Sequence, residues 1–352
     1  MQLCGTPGAS DELELPLRAV DPGLFRSTVQ RLHVLFGLYA DSCPAPLPAP
    51  GLIITPEIRT QCECYLPIAS VTAAFYRLYR SALAYPPILS STPFHKAMSW
   101  ADVFVALPPK FQFSASPARI LEALCADQAL LTEFLFASFL PSRFYNGFGR
   151  YSRQLEFLRS WLQTRPLKAL RCLDAACGTG EGAYDLALML SEVGYSPEEL
   201  RIDGWTLEPL EVWSAASHRF PHDRRRETEL RNATAAIMEN GYLYCITFAC
   251  RDILRPTAAM DWSGDGEQHG FDIILCNGLL GGPILHEKEE LELAVGNLAK
   301  LLVPGGILLA ADSFHGGWKQ QCPQSELRAL FEKHRLKTCE AGEGIGGLKS
   351  DQ

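Results

Sequence analysis

Residues 174–182 read Asp174-Ala-Ala-Cys-Gly178-Thr-Gly180-Glu-Gly182, and this stretch constrains the fold more than any other part of the chain. Before it runs Ala169-Leu-Arg-Cys-Leu173, short and apolar enough for a buried parallel strand. After it runs Ala183-Tyr-Asp-Leu-Ala-Leu-Met-Leu190, a good helix former. Glycines at a strand-to-helix junction let the backbone turn sharply and approach a ligand with no Cβ in the way. The helix N-terminus adds unpaired N–H groups and a partial positive charge. The combination predicts a site for the polar end of a nucleotide-like cofactor.

The 140 or so residues before this region have a different character. Leu24–Tyr39 and Ile58–Tyr85 carry helical periodicity, the second interrupted or restarted near Pro67 and ended by Pro86-Pro87. Between them Cys43-Pro-Ala-Pro-Leu-Pro-Ala-Pro50 is extended or turn-like. Pro117 opens a helix that runs to Phe139 and stops before Pro141. Residues 1–20 read as a loose acidic lead. Aromatic side chains are dense here (Phe75, Tyr76, Tyr79, Tyr85, Trp100, Phe104, Phe111, Phe113, Phe134, Phe136 and Phe139). They suit either this segment's own core or a lid over an apolar or aromatic molecule.

From Leu167 strand and helix alternate. Leu170–Asp174, Ile202–Leu207, Tyr242–Cys250, Phe271–Cys276 and Ile307–Asp312 read as strands, with helices between them that include Glu289–Leu302 and Ser325–His334. Leu336–Ala341 and Ile345–Lys349 read as a closing antiparallel pair. The expectation is an α/β fold, a doubly wound Rossmann-like sheet with a closing antiparallel strand, behind an N-terminal mainly helical domain. The boundary is set at residues 1–140 and 141–352. Ligands in such sheets bind beyond the carboxyl ends of the strands. The second strand ends at Thr206-Leu-Glu208, where an acid accepts hydrogen bonds from ribose hydroxyls; Thr206 is the alternative position. The third ends at Arg251-Asp252-Ile253 and the fourth at Cys276-Asn277-Gly278. Tyr145 and Tyr151 stand at the entry of the helix before the first strand and suit the lining or cover of a cofactor. His286 and His315 follow the fourth and fifth strands and are the candidate general bases.

Gly178-x-Gly180-x-x-Ala183 fits the dinucleotide fingerprint formally. The longer string Leu173-Asp-Ala-Ala-Cys-Gly-Thr-Gly-Glu-Gly resembles more closely the first motif of the class I S-adenosylmethionine (SAM) methyltransferases. A carboxylate before the turn suits an ammonium or hydroxyl and repels a pyrophosphate. The turn Pro304-Gly-Gly306 before the fifth strand is similar to that superfamily's as well. Within it, Ala175-Ala-Cys177-Gly-Thr179-Gly180-Glu181-Gly-Ala-Tyr184 resembles the chemotaxis receptor methyltransferases (CheR), and Ala176 stands where most of the superfamily has its first glycine. The resemblance covers about the last 210 residues and implies SAM as cofactor, with S-adenosylhomocysteine as product. Asp174, Ala175, Ala176, Cys177, Gly178, Gly180, Glu181, Glu208, Asp252, Ile253, Asn277 and Gly278 are implied as cofactor contacts. The resemblance includes an aromatic-aromatic-Arg stretch, here Phe144-Tyr145-Asn146; Arg143 or Arg150 is the substitute for the missing Arg.

The formal charge of −8 argues against a nucleic-acid surface. Arg224-Arg-Arg226 lies among Asp223, Glu227 and Glu229 and reads as a solvated helix edge. The 12 cysteines are scattered, and Cys62-x-Cys64, their one close pair, lacks the spacing of a metal site. No stretch has the length of a membrane span and no basic-plus-apolar leader is visible, so a cytoplasmic location is expected. The expected acceptor is a small apolar or aromatic molecule bound between the helical domain and the strand ends. A protein side chain, as in CheR-like carboxyl methylation, and a non-catalytic SAM-binding role are the alternatives. The N-terminal helices are a possible homodimer contact.

Overall fold

The alternation after residue 168 forms one sheet, and its parallel strands are mostly buried, as parallel strands between helices must be. The computed structural model describes residues 2–4, 17–83, 92–95, 97–140, 147–165, 168–255, 270–282, 284–311 and 321–350. The chain divides into a sheet unit, Met1–Glu14 with Tyr145–Arg219 and Arg225–Gln352, and a helical unit, Leu15–Phe144 with Phe220–Arg224. The division thus differs from a single cut at residue 140 at both the first residues and at 220–224.

The sheet unit opens with strand β1 (Gln2–Cys4). Residues 2–4 are therefore not part of a loose lead; they pair antiparallel with a strand far along the chain, Gln2 opposite Ala249. The helical unit then runs through a short 3-10 turn (Pro22–Phe25) and helices α1 (Arg26–Ser42), α2 (Pro56–Tyr65) and α3 (Ile68–Leu83). It continues with α4 (Trp100–Ala106), α5 (Pro117–Ala126) and α6 (Gln128–Phe139).

The helix expected from Pro117 to Phe139 is two. Asp127 leaves helical geometry (φ −127°, ψ 107°), and its carboxylate accepts the N–H groups of Ala129 at 2.9 Å and Leu130 at 3.0 Å, capping α6. Asp127→Ala is expected to lower stability by about 1 kcal/mol; an unchanged urea midpoint would show that α6 does not need the cap.

The aromatics of this unit pack on one another. Phe75 lies 5.5 Å from Phe134 and 6.1 Å from Trp100, Phe111 meets Phe134 edge-on at 5.2 Å, and Tyr79 lies 4.5 Å from Phe139. Trp100 Nε1 donates to Ala115 O at 2.7 Å. Of the residues that sequence left open between core and lid, these are core; Phe113 is exposed, and Tyr85 lies outside the described residues.

The sheet unit resumes with α7 (Ser152–Gln163), β2 (Leu170–Asp174), α8 (Glu181–Val193) and β3 (Leu200–Thr206). Helices α9 (Pro209–Ser217) and α10 (Arg224–Glu239) precede β4 (Ile246–Cys250). Tyr242–Cys245, expected to belong to that strand, is a 3-10 turn behind the left-handed Gly241 (φ +78°). Then come β5 (Phe271–Leu275), α11 (Lys288–Leu301), β6 (Leu302–Ala311), α12 (Gln324–Lys333), β7 (Leu336–Ala341) and β8 (Gly344–Lys349).

The strand order is β1-β4-β3-β2-β5-β6-β8-β7. Strands β4, β3, β2, β5 and β6 run parallel to one another, while β1 is antiparallel to β4 and β8 is antiparallel to β6 and to β7. From β2 the chain builds outward first toward β4 and then, on the other side, toward β6. The order reverses between β2 and β5, the kind of switch point at which ligands generally bind in such sheets. Among the described residues no helix is long and apolar enough to cross a membrane.

Candidate cofactor site

Parallel pairing brings the strand ends of the sheet unit to one edge. Asp174 closes β2 level with Gly204 of β3 and Leu275 of β5. Backbone bonds continue past the strands: Ala175 N to Leu275 O at 2.7 Å, Cys177 N to Trp205 O at 3.0 Å, and Gly278 N to Ala311 O at 2.8 Å. The loop from Asp174 to Gly180 is thus stitched to both neighbours, and Gly178 (φ +53°) and Gly180 (φ +95°) supply its left-handed turns.

The loop is packed tightly against α8. A Cβ at Gly182 would stand 2.6 Å from Asp174 Oδ2, so glycine is what lets the carboxylate lie over the first turn of the helix. Asp174 is 4% exposed and accepts the N–H of Ala176 at 3.4 Å. Burial pushes its carboxyl up to about 7, reinforced by the charges of Glu181 and Asp185. Asp185, on α8, accepts the N–H of Gly149 at 2.8 Å, and burial holds it up at about 6. Cys177 is buried in the loop, and its thiol is pushed well above the usual range.

Glu181 is engaged within the protein. Its Oε1 pairs with Arg226 Nη2 of α10 at 2.7 Å, and its Oε2 accepts from Thr179 Oγ1 at 2.6 Å. The same Arg226 nitrogen also donates to Thr179 Oγ1. Arg226 is 8% exposed, so the Arg224-Arg-Arg226 cluster is not wholly a solvated edge. The signal was available in the helical spacing: Arg226, Leu230, Thr234 and Ile237 are the buried stripe of α10.

Glu208 caps α9 through Oε1, which accepts Leu210 N at 3.2 Å, and is 2% exposed. Thr206 Oγ1 donates to Glu211 and accepts Glu208 N at 3.4 Å. Asp252 accepts Leu254 N at 2.9 Å in a turn after β4, and Ile253 O accepts from Asn297 at 2.8 Å.

Asn277 belongs to a junction that sequence did not show. Its amide and that of Gln154, fully buried on α7, bond reciprocally at 2.7 and 3.1 Å, and Asn277 Oδ1 also accepts Ala311 N at 3.0 Å. The first turn of α7 is in turn capped from the β7–β8 turn: Glu343 accepts the N–H groups of Arg153 at 3.0 Å and Gln154 at 2.8 Å. This places Arg150 and Tyr151 over Gly278, where a Cβ would lie 3.4 Å from Tyr151 Oη and 3.8 Å from Arg150 Nη1. Burial lowers the Arg150 guanidinium somewhat.

His286 is exposed and pairs with the adjacent Glu287 at 3.3 Å. Tyr145 and His315 lie outside the described residues.

Behind the loop, Tyr184 donates to Ala215 O at 2.6 Å and packs against His218 at 5.0 Å. His218 ends α9 in a left-handed turn (φ +56°) and is 4% exposed. Burial, with the Arg231 charge second, depresses its imidazole to about 4. The folded state therefore refuses a proton that the unfolded chain accepts below about 6.5, and the stability held by neutral His218 is lost as pH falls from 6.5 through 4. Asp174 has the opposite sign. Its folded carboxyl is raised, so its contribution is full below the unfolded value of 3.8 and is lost as pH rises through about 7. His218→Asn, which tolerates the left-handed turn, removes the first effect alone. The wild type should lose urea resistance relative to this variant between pH 6.5 and 4; parallel pH curves would contradict the assignment.

No protein-family model matches the chain. A chemotaxis protein methyltransferase of Listeria monocytogenes serovar 1/2a is 27% identical over 188 residues, which are 53% of this chain and 70% of that protein. The probable biofilm formation methyltransferase WspC of Pseudomonas putida is 26% identical over 143 residues, 40% of this chain and 33% of its own length. A second chemotaxis protein methyltransferase, from Listeria innocua serovar 6a, is 29% identical over 144 residues, 41% of this chain and 53% of its own. Among solved structures, the N-methyltransferase NodS from Bradyrhizobium japonicum, in complex with S-adenosylhomocysteine, has 18% identity over 64% of this chain and 98% of that one, with a TM-score of 0.36.

Proposed function

We infer that the chain, a class I SAM-dependent methyltransferase with a CheR-like first motif, transfers the methyl group of its cofactor to a protein side chain. The observation that carries the cofactor reading is the buried Asp174 carboxylate over the first turn of α8, with Gly182 leaving room for it. Asp185 stands nearby, and Glu181 is neutralised by Arg226. This setting complements a cationic amino group and opposes a pyrophosphate, so the residues present fit SAM and do not fit a dinucleotide.

When bound, SAM supplies a methyl group on a positively charged sulfur, and the protein's part is alignment and exclusion of water. Asp174 is the acceptor for the amino group of the cofactor. The loop from Ala175 to Gly180 lies against it, and Glu208 and Asp252 are the candidates for its ribose and its base. Asn277 and Gly278, with Arg150 and Tyr151 above them, form the wall from which an acceptor is presented. Tyr145, His286 and His315 remain candidates, Tyr145 for covering the cofactor and the histidines for proton removal; a carboxylate acceptor needs no base.

Two observations bear on the acceptor. The aromatic residues that favoured a small apolar molecule pack on each other in the helical unit. Two of the three relatives named above are chemotaxis protein methyltransferases, which favours a protein side chain. Calorimetric titration with SAM and with NAD tests the cofactor: heat with NAD and none with SAM would overturn the reading. Radiolabelled methyl transfer into cell extract tests the acceptor. Label in protein supports it, label in small molecules restores the small-molecule acceptor, and label in neither points to a non-catalytic SAM-binding protein.

A further inference from the structure

Glu181 and Arg226 form an ion pair whose two members come from different helices, and both lie against the glycine turn. Three carboxylates crowd this end of the sheet unit. Glu181 and Asp185 sit one turn apart on α8, and Asp174 lies against the first turn. Like charges so close oppose one another's ionisation. A cofactor with a cationic end needs at least one of them ionised and aimed at it. The structure holds one carboxylate away from that task, since both Glu181 oxygens are occupied, one by Arg226 and one by Thr179.

We propose that Arg226 is a positioning residue for the cofactor: it neutralises Glu181 and ties Thr179, fixing the turn so that Asp174 alone meets the cationic amino group. The proposal rests on the SAM reading above. It assigns Glu181 to the support of the loop and not to direct contact with the ligand. It also explains why a fully charged arginine stands in the buried stripe of α10, where an apolar residue would pack at lower desolvation cost.

The groups facing Asp174 are Glu181 and Asp185 from α8, Cys177 from the loop and Cys276 from the end of β5, with Glu211 of α9 beyond Cys177. Both thiols are held neutral by burial, so the carboxylates and Arg226 set the local charge. Without Arg226, Glu181 is uncompensated, and ionisation of Asp174 moves to higher pH by about one unit.

The test is calorimetric binding of S-adenosylhomocysteine between pH 5.5 and 7.5, below the ordinary titration of an α-amino group. Wild-type affinity should rise with pH across this range. Arg226→Met should bind about tenfold more weakly at pH 6 but only about threefold more weakly at pH 7.5, the pattern of a one-unit shift. A merely structural loss would give the same ratio at every pH, and that result would overturn the proposal. Arg226→Lys, which keeps the charge, should restore the wild-type profile.

Two further variants extend the test, and Glu181→Gln decides the matter should Arg226→Met fail to fold. Glu181→Gln should bind severalfold more tightly than wild type at pH 6, because it removes the charge that opposes Asp174. The double variant Glu181→Gln/Arg226→Met should return to within about twofold of wild type, since the charge that Arg226 answers is gone. Weaker binding by Glu181→Gln would show direct contact with the ligand and sink the proposal. A wild type that binds neither SAM nor S-adenosylhomocysteine would overturn the SAM reading and this inference together; a wild type that binds with an unmoved profile in every variant overturns this inference alone.

Discussion

Asp174→Asn is expected to keep the fold and to weaken SAM binding roughly 10- to 150-fold, the range for a lost hydrogen bond to a charged group. The two halves of this expectation come from one property. Asp174 is buried, and burial holds its carboxyl at about 7, so the neutral form is accessible to the free protein near neutrality. An asparagine is close in shape to that neutral form. It faces the same Ala176 N–H with its carbonyl oxygen and removes the repulsion from Glu181 and Asp185. The melting temperature at pH 8 should therefore be unchanged or higher. Binding, by contrast, uses the ionised form, because only a carboxylate complements a cationic amino group. Wild-type affinity should climb with pH from 6 to 7.5, and the variant's should be flat. Calorimetry at pH 6 and 7.5 checks both, and equal affinity of the two proteins would remove Asp174 from the site.

The second large effect is expected at Gly342, in the turn between β7 and β8. Its φ of +65° is left-handed, and an added Cβ would stand 2.3 Å from Gln154 N and 2.4 Å from Arg153 C. These are backbone atoms of the first turn of α7 and cannot rotate aside. Gly342→Ala should cost about 3 kcal/mol, combining left-handed strain with overpacking, and lower the melting temperature of the sheet unit by roughly 6–12 °C. Gly147→Ala is the control. Gly147 has a similar φ of +72° with nothing within 4 Å of the added Cβ, so only strain of about 1–2 kcal/mol applies. Equal melting shifts would mean that the α7 contact is not what Gly342 serves. Because α7 carries Gln154 and its bond to Asn277, the Gly342 variant should also lose cofactor affinity.

These two residues illustrate what sequence can reveal. Asp174 was legible because its neighbours are local: an apolar strand before it, glycines after it, a helix next. The five parallel strands and the closing pair were legible for the same reason, each being a short apolar run with a turn at its end. Gly342 and Glu343 were not, because their partners Arg153 and Gln154 lie some 190 positions earlier and only the sheet brings them together. The reciprocal Gln154–Asn277 amides are hidden in the same way. Other differences were within reach. Asp127 is a strong N-cap residue in the middle of the span read as one helix, and Arg226 keeps helical spacing with Leu230 and Ile237. The aromatic residues were ambiguous in principle, since a lid and a core call for the same side chains.

The pairing of residue 2 with residue 249 sets an order of assembly. Between β1 and β4 the chain runs through residues 15–144, most of the helical unit, and then through β2 and β3. Closing a loop of that length costs roughly 5 kcal/mol of chain entropy, more than three residues of ladder return on their own. β1 therefore adds last, onto a sheet already built, and is the first strand to leave when the protein is stressed. Its departure bares the edge of β4, an invitation to pair with another molecule. The self-association hazard is thus expected at the edge that β1 covers, far in sequence from the candidate cofactor loop.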